Sequence, residues 1–135
     1  MPELPEVETI ARKLKVTVLN KQITGVQVMW RKTIHTHAPG EFTRSLVGTR
    51  IKNVRRRGKY IIIDLDNGKK MLIHLRMSGK FVWRRTRDRI EQGRHTRVHI
   101  SLGDGSELYF QDQRKFGRFY LTEDETSVTG HLGPE

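Results

Sequence analysis

An antiparallel β-sandwich of the α+β class, mostly strand, led by one N-terminal helix and carrying one short helix at its edge, is the fold that these 135 residues predict. Apolar residues repeat with a long helical period at the start of the chain. From Thr49 onward they fall instead into short runs, and Gly58, Asn67-Gly68 and Gly103-Asp104-Gly105 punctuate those runs as turn signals. Several short strands after one leading helix pack most simply as two sheets face to face. The length suits one domain, residues 1–135, with a proper core.

From Pro5 to about Leu19, Val7, Ile10, Ala11, Leu14 and Val18 share one helical face, with Arg12, Lys13 and Lys15 opposite. Pro5 suits the first helical position, and Glu6 and Glu8 place negative charge at the positive end of the helix dipole. Gln22 to Arg31 alternates as a strand interrupted near Gly25. Lys32 to Gly40 reads as a polar loop or edge ribbon, whose His35 and His37 are better explained as edge residues than as metal ligands. Glu41 to Leu46 makes the short helix, closed by Gly48. Arg50 to Arg57 is a basic strand, broken or bulged at Gly58, and Lys59 leads into the apolar run Tyr60-Ile61-Ile62-Ile63. Asn67-Gly68 predicts a type I′ hairpin with Met71 to Met77 as the returning strand. Gly79 to Trp83 is a further strand, and Arg84 to Gly93 an exposed, charged loop. His95 to Leu102 and Glu107 to Gln111 form a hairpin, and Phe116 to Leu121 is the last strand before a tail that ends in His131-Leu132-Gly133-Pro134-Glu135.

Charge is the loudest compositional signal. Twenty-six Lys and Arg against 15 Asp and Glu give +11, with an isoelectric point near 10.4, which favours a polyanionic partner. No cysteine is present, which excludes disulfides, thiolate catalysis and cysteine-ligated zinc. With no bilayer-length apolar run and no signal peptide, the expected setting is cytoplasmic, without a membrane partner.

Met1-Pro2-Glu3 is a candidate for chemistry. Removal of Met1 leaves a secondary amine beside a carboxylate, and an α-amino group titrates near ~8 against ~10.4 for lysine, so much more of it is nucleophilic at neutral pH. Condensation with a sugar carbon gives an iminium, and Glu3 can move the proton that opens the ring. With Met1 retained, the Pro2 nitrogen is an amide and this chemistry is closed. The plainer reading is that Pro2 protects the end from proteolysis. Elsewhere, alternation puts His74 and Arg76 on one strand face, suited to phosphate. Met77 at a strand end is either core filler or an apolar wedge for the gap left by an extruded base. Arg114 and Phe116, two residues apart and followed by Gly117, can set a guanidinium and a ring on one side of a loop.

The string Pro2-Glu3-Leu4-Pro5-Glu6-Val7-Glu8-Thr9 resembles the N-terminus of the formamidopyrimidine-DNA glycosylases, bifunctional repair enzymes that excise oxidised purines. Arg56-Arg57-Gly58-Lys59-Tyr60 looks like the family element that brings a lysine to the active site. Met77, Arg114 and Phe116 stand in the motifs of its void-filling triad, a pattern closer to the oxidised-purine branch than to the endonuclease VIII branch. Four motifs occur in the family's order, from Pro2 to the terminal His-Leu-Gly-Pro-Glu.

The resemblance implies Pro2 as nucleophile, Glu3 as proton donor, Lys59 at the active site and Glu6 in an assisting role. It also implies DNA contacts from His74, Arg76, Met77, Arg114 and Phe116. The implied partner is double-stranded DNA carrying an oxidised purine or an abasic site, bound by a monomer, in a bacterial, nucleoid-associated setting. The family enzyme continues into a helix-two-turns-helix domain and usually a four-cysteine zinc finger. This chain is therefore expected to be the N-terminal catalytic domain without them, holding no cofactor of its own and keeping weak, salt-sensitive DNA binding with little or no glycosylase activity. The rival reading is a DNA-binding module without chemistry. A structural β domain contacting RNA or an acidic protein leaves the Pro-Glu start unexplained.

Overall fold

The structure is a computed structural model that describes residues 3–85 and 94–130. Helix α1 (Leu4–Val18) leads, followed by β1 (Ile23–Val28), a 3-10 turn (Arg31–Thr33), α2 (Pro39–Leu46), β2 (Ile51–Arg57), β3 (Tyr60–Leu65), β4 (Lys70–His74), β5 (Gly79–Arg84), β6 (Thr96–Leu102), β7 (Glu107–Asp112), β8 (Arg118–Thr122) and α3 (Thr126–Thr129). The strands form two four-stranded antiparallel sheets, β1-β6-β7-β5 and β2-β3-β4-β8.

The sandwich with a leading helix is as the sequence predicts, and its core follows from strand periodicity. Val98, Ile100, Leu102, Leu108 and Phe110 of one sheet meet Ile61, Ile63, Met71, Ile73, Phe119 and Leu121 of the other, while Val7, Ala11, Leu14 and Val18 of α1 join the same cluster. Phe110 and Phe119 join the two sheets edge to face at 4.9 Å, with Phe81 and Phe42 in further ring contacts. The unbroken apolar run of β3 has its reason on the second face of its sheet. There Tyr60 and Ile62 form a small cluster with Leu72, against Tyr120 and Val128 of the tail. Arg55 fastens that tail by hydrogen bonding to both Asp64 (2.8 and 3.0 Å) and Glu125 (2.6 and 3.3 Å).

Several local expectations are corrected or narrowed. The Asn67-Gly68 hairpin exists, but only Gly68 takes positive φ (+84°). Its N–H reaches Leu65 O at 3.3 Å and Leu65 N–H reaches Lys69 O at 3.0 Å, a three-residue loop with glycine in the left-handed position instead of a type I′ turn. Of the two expectations for Gly58, break or bulge, the break holds: with φ +58° it ends β2 and starts the two-residue Gly58-Lys59 turn between the paired Arg57 and Tyr60. Of the two readings of 32–40, loop or edge ribbon, the structure favours the ribbon: Ile34 bridges Phe119 of the edge strand β8, His35 N–H donates to Phe119 O at 2.8 Å, and Thr33 and Ile34 are buried. α2 starts at Pro39, two residues before the predicted Glu41. β4 ends at His74 and β8 begins at Arg118, so Arg76, Met77 and Phe116 lie in turns, not strands. Arg84 closes β5. The rest of the predicted charged loop, apart from Arg85, and the terminal His-Leu-Gly-Pro-Glu lie outside the described residues.

Candidate nucleic-acid interface and active site

α1 runs antiparallel to β2. At one end Asn20 N–H donates to Ile51 O at 2.8 Å, and toward the other Glu8 Oε1 lies 3.8 Å from Arg56 Nε. Glu3 is about 7–8 Å of helix rise before Glu8, and β2 runs one residue, about 3.3 Å, past Arg56 before the two-residue Gly58-Lys59 turn reverses the chain. The helix start and the Gly58-Lys59 tip therefore lie at the same end of the molecule. Glu3 sits at the N-cap with Val7 N–H donating to its carbonyl at 3.0 Å, and Glu3 and Glu6 are both exposed. The nucleophile candidate Pro2 lies outside the described residues.

The same end collects the other candidates. Tyr60 pairs with His74, and His74 with Arg118, so the strand ends after Lys59, before Arg76 and after Gly117 are neighbours. His74 is buried against Tyr60, whose ring is edge-on at 5.0 Å. Burial, with the charges of Arg76 and Lys59, pushes its pKa from 6.5 down to about 4, so both cations lie within electrostatic reach of one ring.

The expectation that His74 and Arg76 share a strand face is corrected. Arg76 takes φ +56° in the turn after β4, and its N–H donates to His74 Nδ1 at 3.1 Å. A neutral His74 brings no positive charge to a phosphate; it caps the turn that presents exposed Arg76 and Met77. Because its proton is held more weakly in the fold than the ordinary 6.5, the unfolded chain binds it first on acidification. Stability should therefore fall as pH drops from about 6.5 toward about 4. Thermal melts across that window should show a smaller fall for His74→Gln.

Met77 and Phe116 are large apolar side chains left in solvent, 53% and 45% exposed. Such exposure is not core filling. The Arg114 guanidinium lies 5.5 Å from the Phe116 ring centre, and Lys115, at φ +61°, puts its ammonium 4.1 Å from the Trp30 ring. Arg118 braces the turn through Nη1 to the carbonyls of Lys115 (3.0 Å) and Gly117 (2.9 Å).

Sequence reading missed Ser78 and Asp112, which tie the Met77 turn to the Arg114–Phe116 turn. Ser78 Oγ donates to Asp112 Oδ1 at 2.5 Å, and both residues line a polar hollow with Lys80, His95, Gln111 and Gln113. No cluster of three metal-capable side chains occurs among the described residues. His35 and His37 instead meet Tyr120 (ring centres 4.9 Å apart) and Thr36 Oγ1 (2.7 Å).

Comparison with known proteins identifies the family of the fold. The Formamidopyrimidine-DNA glycosylase N-terminal domain profile matches residues 1–119. The formamidopyrimidine-DNA glycosylase of Protochlamydia amoebophila is 41% identical over 136 residues, all of this chain and 49% of the relative. That of Pediococcus pentosaceus is 45% identical over 139 residues, again all of this chain and 50% of the relative. A Lactococcus lactis formamidopyrimidine-DNA glycosylase, bound non-covalently to DNA containing an abasic site, superimposes with a TM-score of 0.89 at 28% identity, over 99% of this chain and 52% of that one. The chain thus spans about half the length of the curated relatives it matches. With profile, relatives and sandwich in agreement, the chain belongs to the formamidopyrimidine-DNA glycosylase N-terminal domain family.

Proposed function

We propose that this chain is the catalytic domain of a DNA base-excision repair enzyme, a glycosylase and abasic-site lyase acting on oxidised purines in bacterial cytoplasm. The observation that carries the reading is the gathering at one end of the sandwich of the Glu3 helix start, the Lys59 tip and two turns bearing exposed Met77, Arg114 and Phe116. Structures of the Lactococcus lactis relative in complex with abasic-site DNA and with DNA containing a formamidopyrimidine lesion support the substrate class.

Once Met1 is removed, the Pro2 nitrogen lone pair attacks C1′ of the damaged nucleotide. The bond from C1′ to the base breaks with its electron pair leaving on the base, which takes up the proton lost by the Pro2 nitrogen. Glu3 then protonates the sugar ring oxygen as the C1′–O4′ bond breaks, and the nitrogen lone pair closes the C1′=N⁺ iminium of the opened sugar. The resulting iminium acidifies the C2′ hydrogen, so loss of that proton expels the 3′ phosphate, and a second elimination expels the 5′ phosphate. Lys59 attracts phosphate and favours the unprotonated amine, and Glu6, one turn on, assists proton traffic. Met77, Arg114 and Phe116 fill the gap in the duplex, which partly recovers the few kcal/mol that extrusion of a nucleotide costs. The helix-two-turns-helix and zinc-finger part of the family enzyme supplies the other wall of the cleft. By itself this chain binds DNA weakly and excises little.

Borohydride trapping on a duplex with a preformed abasic site tests the proposal. The processed chain should give a covalent protein–DNA adduct, and Pro2→Gly, whose primary amine lacks the pre-set ring geometry, should give at least about tenfold less. Intact mass confirms the loss of Met1. A processed chain that binds this duplex but forms no adduct is a DNA-binding module without chemistry.

A further inference from the structure

Both exposed turns are crossovers between the two sheets: residues 75–78 carry the chain from β4 to β5, and residues 113–117 return it from β7 to β8. The last ladder pair of one sheet here is Gly79 with Asp112, and that of the other is His74 with Arg118. Between these pairs neither ladder continues, so the corner that presents Met77, Arg114 and Phe116 lacks the hydrogen bonds that stiffen the sheets.

Side chains fill that gap. Asp112, 1% exposed, accepts Ser78 Oγ–H on Oδ1 at 2.5 Å and Gly117 N–H on Oδ2 at 2.7 Å. Ser78 Oγ in turn accepts the Arg114 N–H at 3.0 Å. The Asp112 carbonyl accepts Arg97 Nε at 2.9 Å and Lys115 N–H at 3.3 Å, while its own N–H reaches His95 O at 2.9 Å. Both turns are seated on Phe110 through glycines: a Cβ at Gly79 or Gly117 would come within 2.8 or 2.7 Å of its Cζ.

We infer that Asp112 and Ser78 are positioning residues that lock the Met77 turn and the Arg114–Phe116 turn into one rigid wedge, so that lesion recognition depends on a buried clasp that touches no DNA. The inference rests on the proposed repair function. A wedge in two independent halves would lose ordering entropy twice on entering the duplex, whereas a clasped one has already lost it. The clasp therefore bears on discrimination of the lesion more than on general attraction to DNA.

The test uses the 135-residue chain with two duplexes, one undamaged and one with an abasic site opposite 2-aminopurine. Ser78→Ala should lower the ratio of abasic-site to undamaged affinity roughly tenfold. It should also suppress the 2-aminopurine fluorescence change at saturation, with undamaged affinity within about twofold of wild type. Ser78→Thr, which keeps the hydroxyl, should restore both signals, and Asp112→Asn should match Ser78→Ala. Adding Met77→Ala to Ser78→Ala should cost less than Met77→Ala alone, because the two act as a unit. A preference that Met77→Ala abolishes and Ser78→Ala leaves intact, with only the melting temperature lowered, overturns the clasp alone. A wild-type chain with no preference for the abasic-site duplex overturns the repair reading and the clasp with it.

Discussion

Duplex DNA binding by this chain should weaken by two to three orders of magnitude between roughly 50 and 200 mM salt. Lys59, Arg76, Arg114, Lys115 and Arg118 are grouped at one end of the sandwich by the β2–β3 tip and the two crossover turns. If each neutralises one phosphate, about five counterions are released on binding, and the logarithm of affinity falls with that of salt at a slope near −4.5. A fourfold salt increase then costs about 500-fold. Titrations of a labelled duplex at several salt concentrations measure the slope directly, and Arg114→Ala should reduce its magnitude by about one. A tenfold change or less over the whole range would mean that the +11 net charge is spread over surfaces that do not meet the DNA together.

The second large effect is on stability. Phe110→Ala should cost about 3–5 kcal/mol, the range for deleting a fully buried aromatic side chain. Phe110 is 1% exposed, meets Phe119 and Phe81 at 4.9 and 5.4 Å between ring centres, and forms the floor on which Gly79 and Gly117 rest. The hole would open between the sheets and beneath both turns at once. Thermal and denaturant melts should show a midpoint lower by roughly 10–20 °C. Phe110→Leu, which refills much of the volume, should recover more than half. A loss under about 1 kcal/mol for the alanine variant would show that the corner rests on something else.

Much of the fold was legible because its strands are one-sided. Residues 98–102 alternate in sequence as they alternate in burial, and the helical spacing of Val7, Ala11, Leu14 and Val18 is the buried stripe of α1. β3 shows where such legibility ends. Its unbroken apolar run gives no face, because the second face is covered by a tail more than fifty residues downstream, through Val128.

At the site, the signals that could be read were local strings, and Lys59, Met77, Arg114 and Phe116 all lie on the two crossover turns or the hairpin tip. His74 and Arg76 misled because polar residues two apart mimic a strand face, while the chain had already left the sheet in a left-handed turn. Asp112 and Ser78 gave no local sign. Their bond spans 34 positions, and only the crossing of the chain from one sheet to the other brings them together.

The ammonium of Lys115 over Trp30 has a spectroscopic consequence. A cation so close to an indole shifts its excited state, so the emission of Trp30 follows any displacement of the neighbouring Phe116 loop. Trp83, the other tryptophan of the chain, is held under Lys21 at 4.9 Å toward the far end of β5. One chromophore thus watches the working corner while the second serves as an internal reference, with no dye attached.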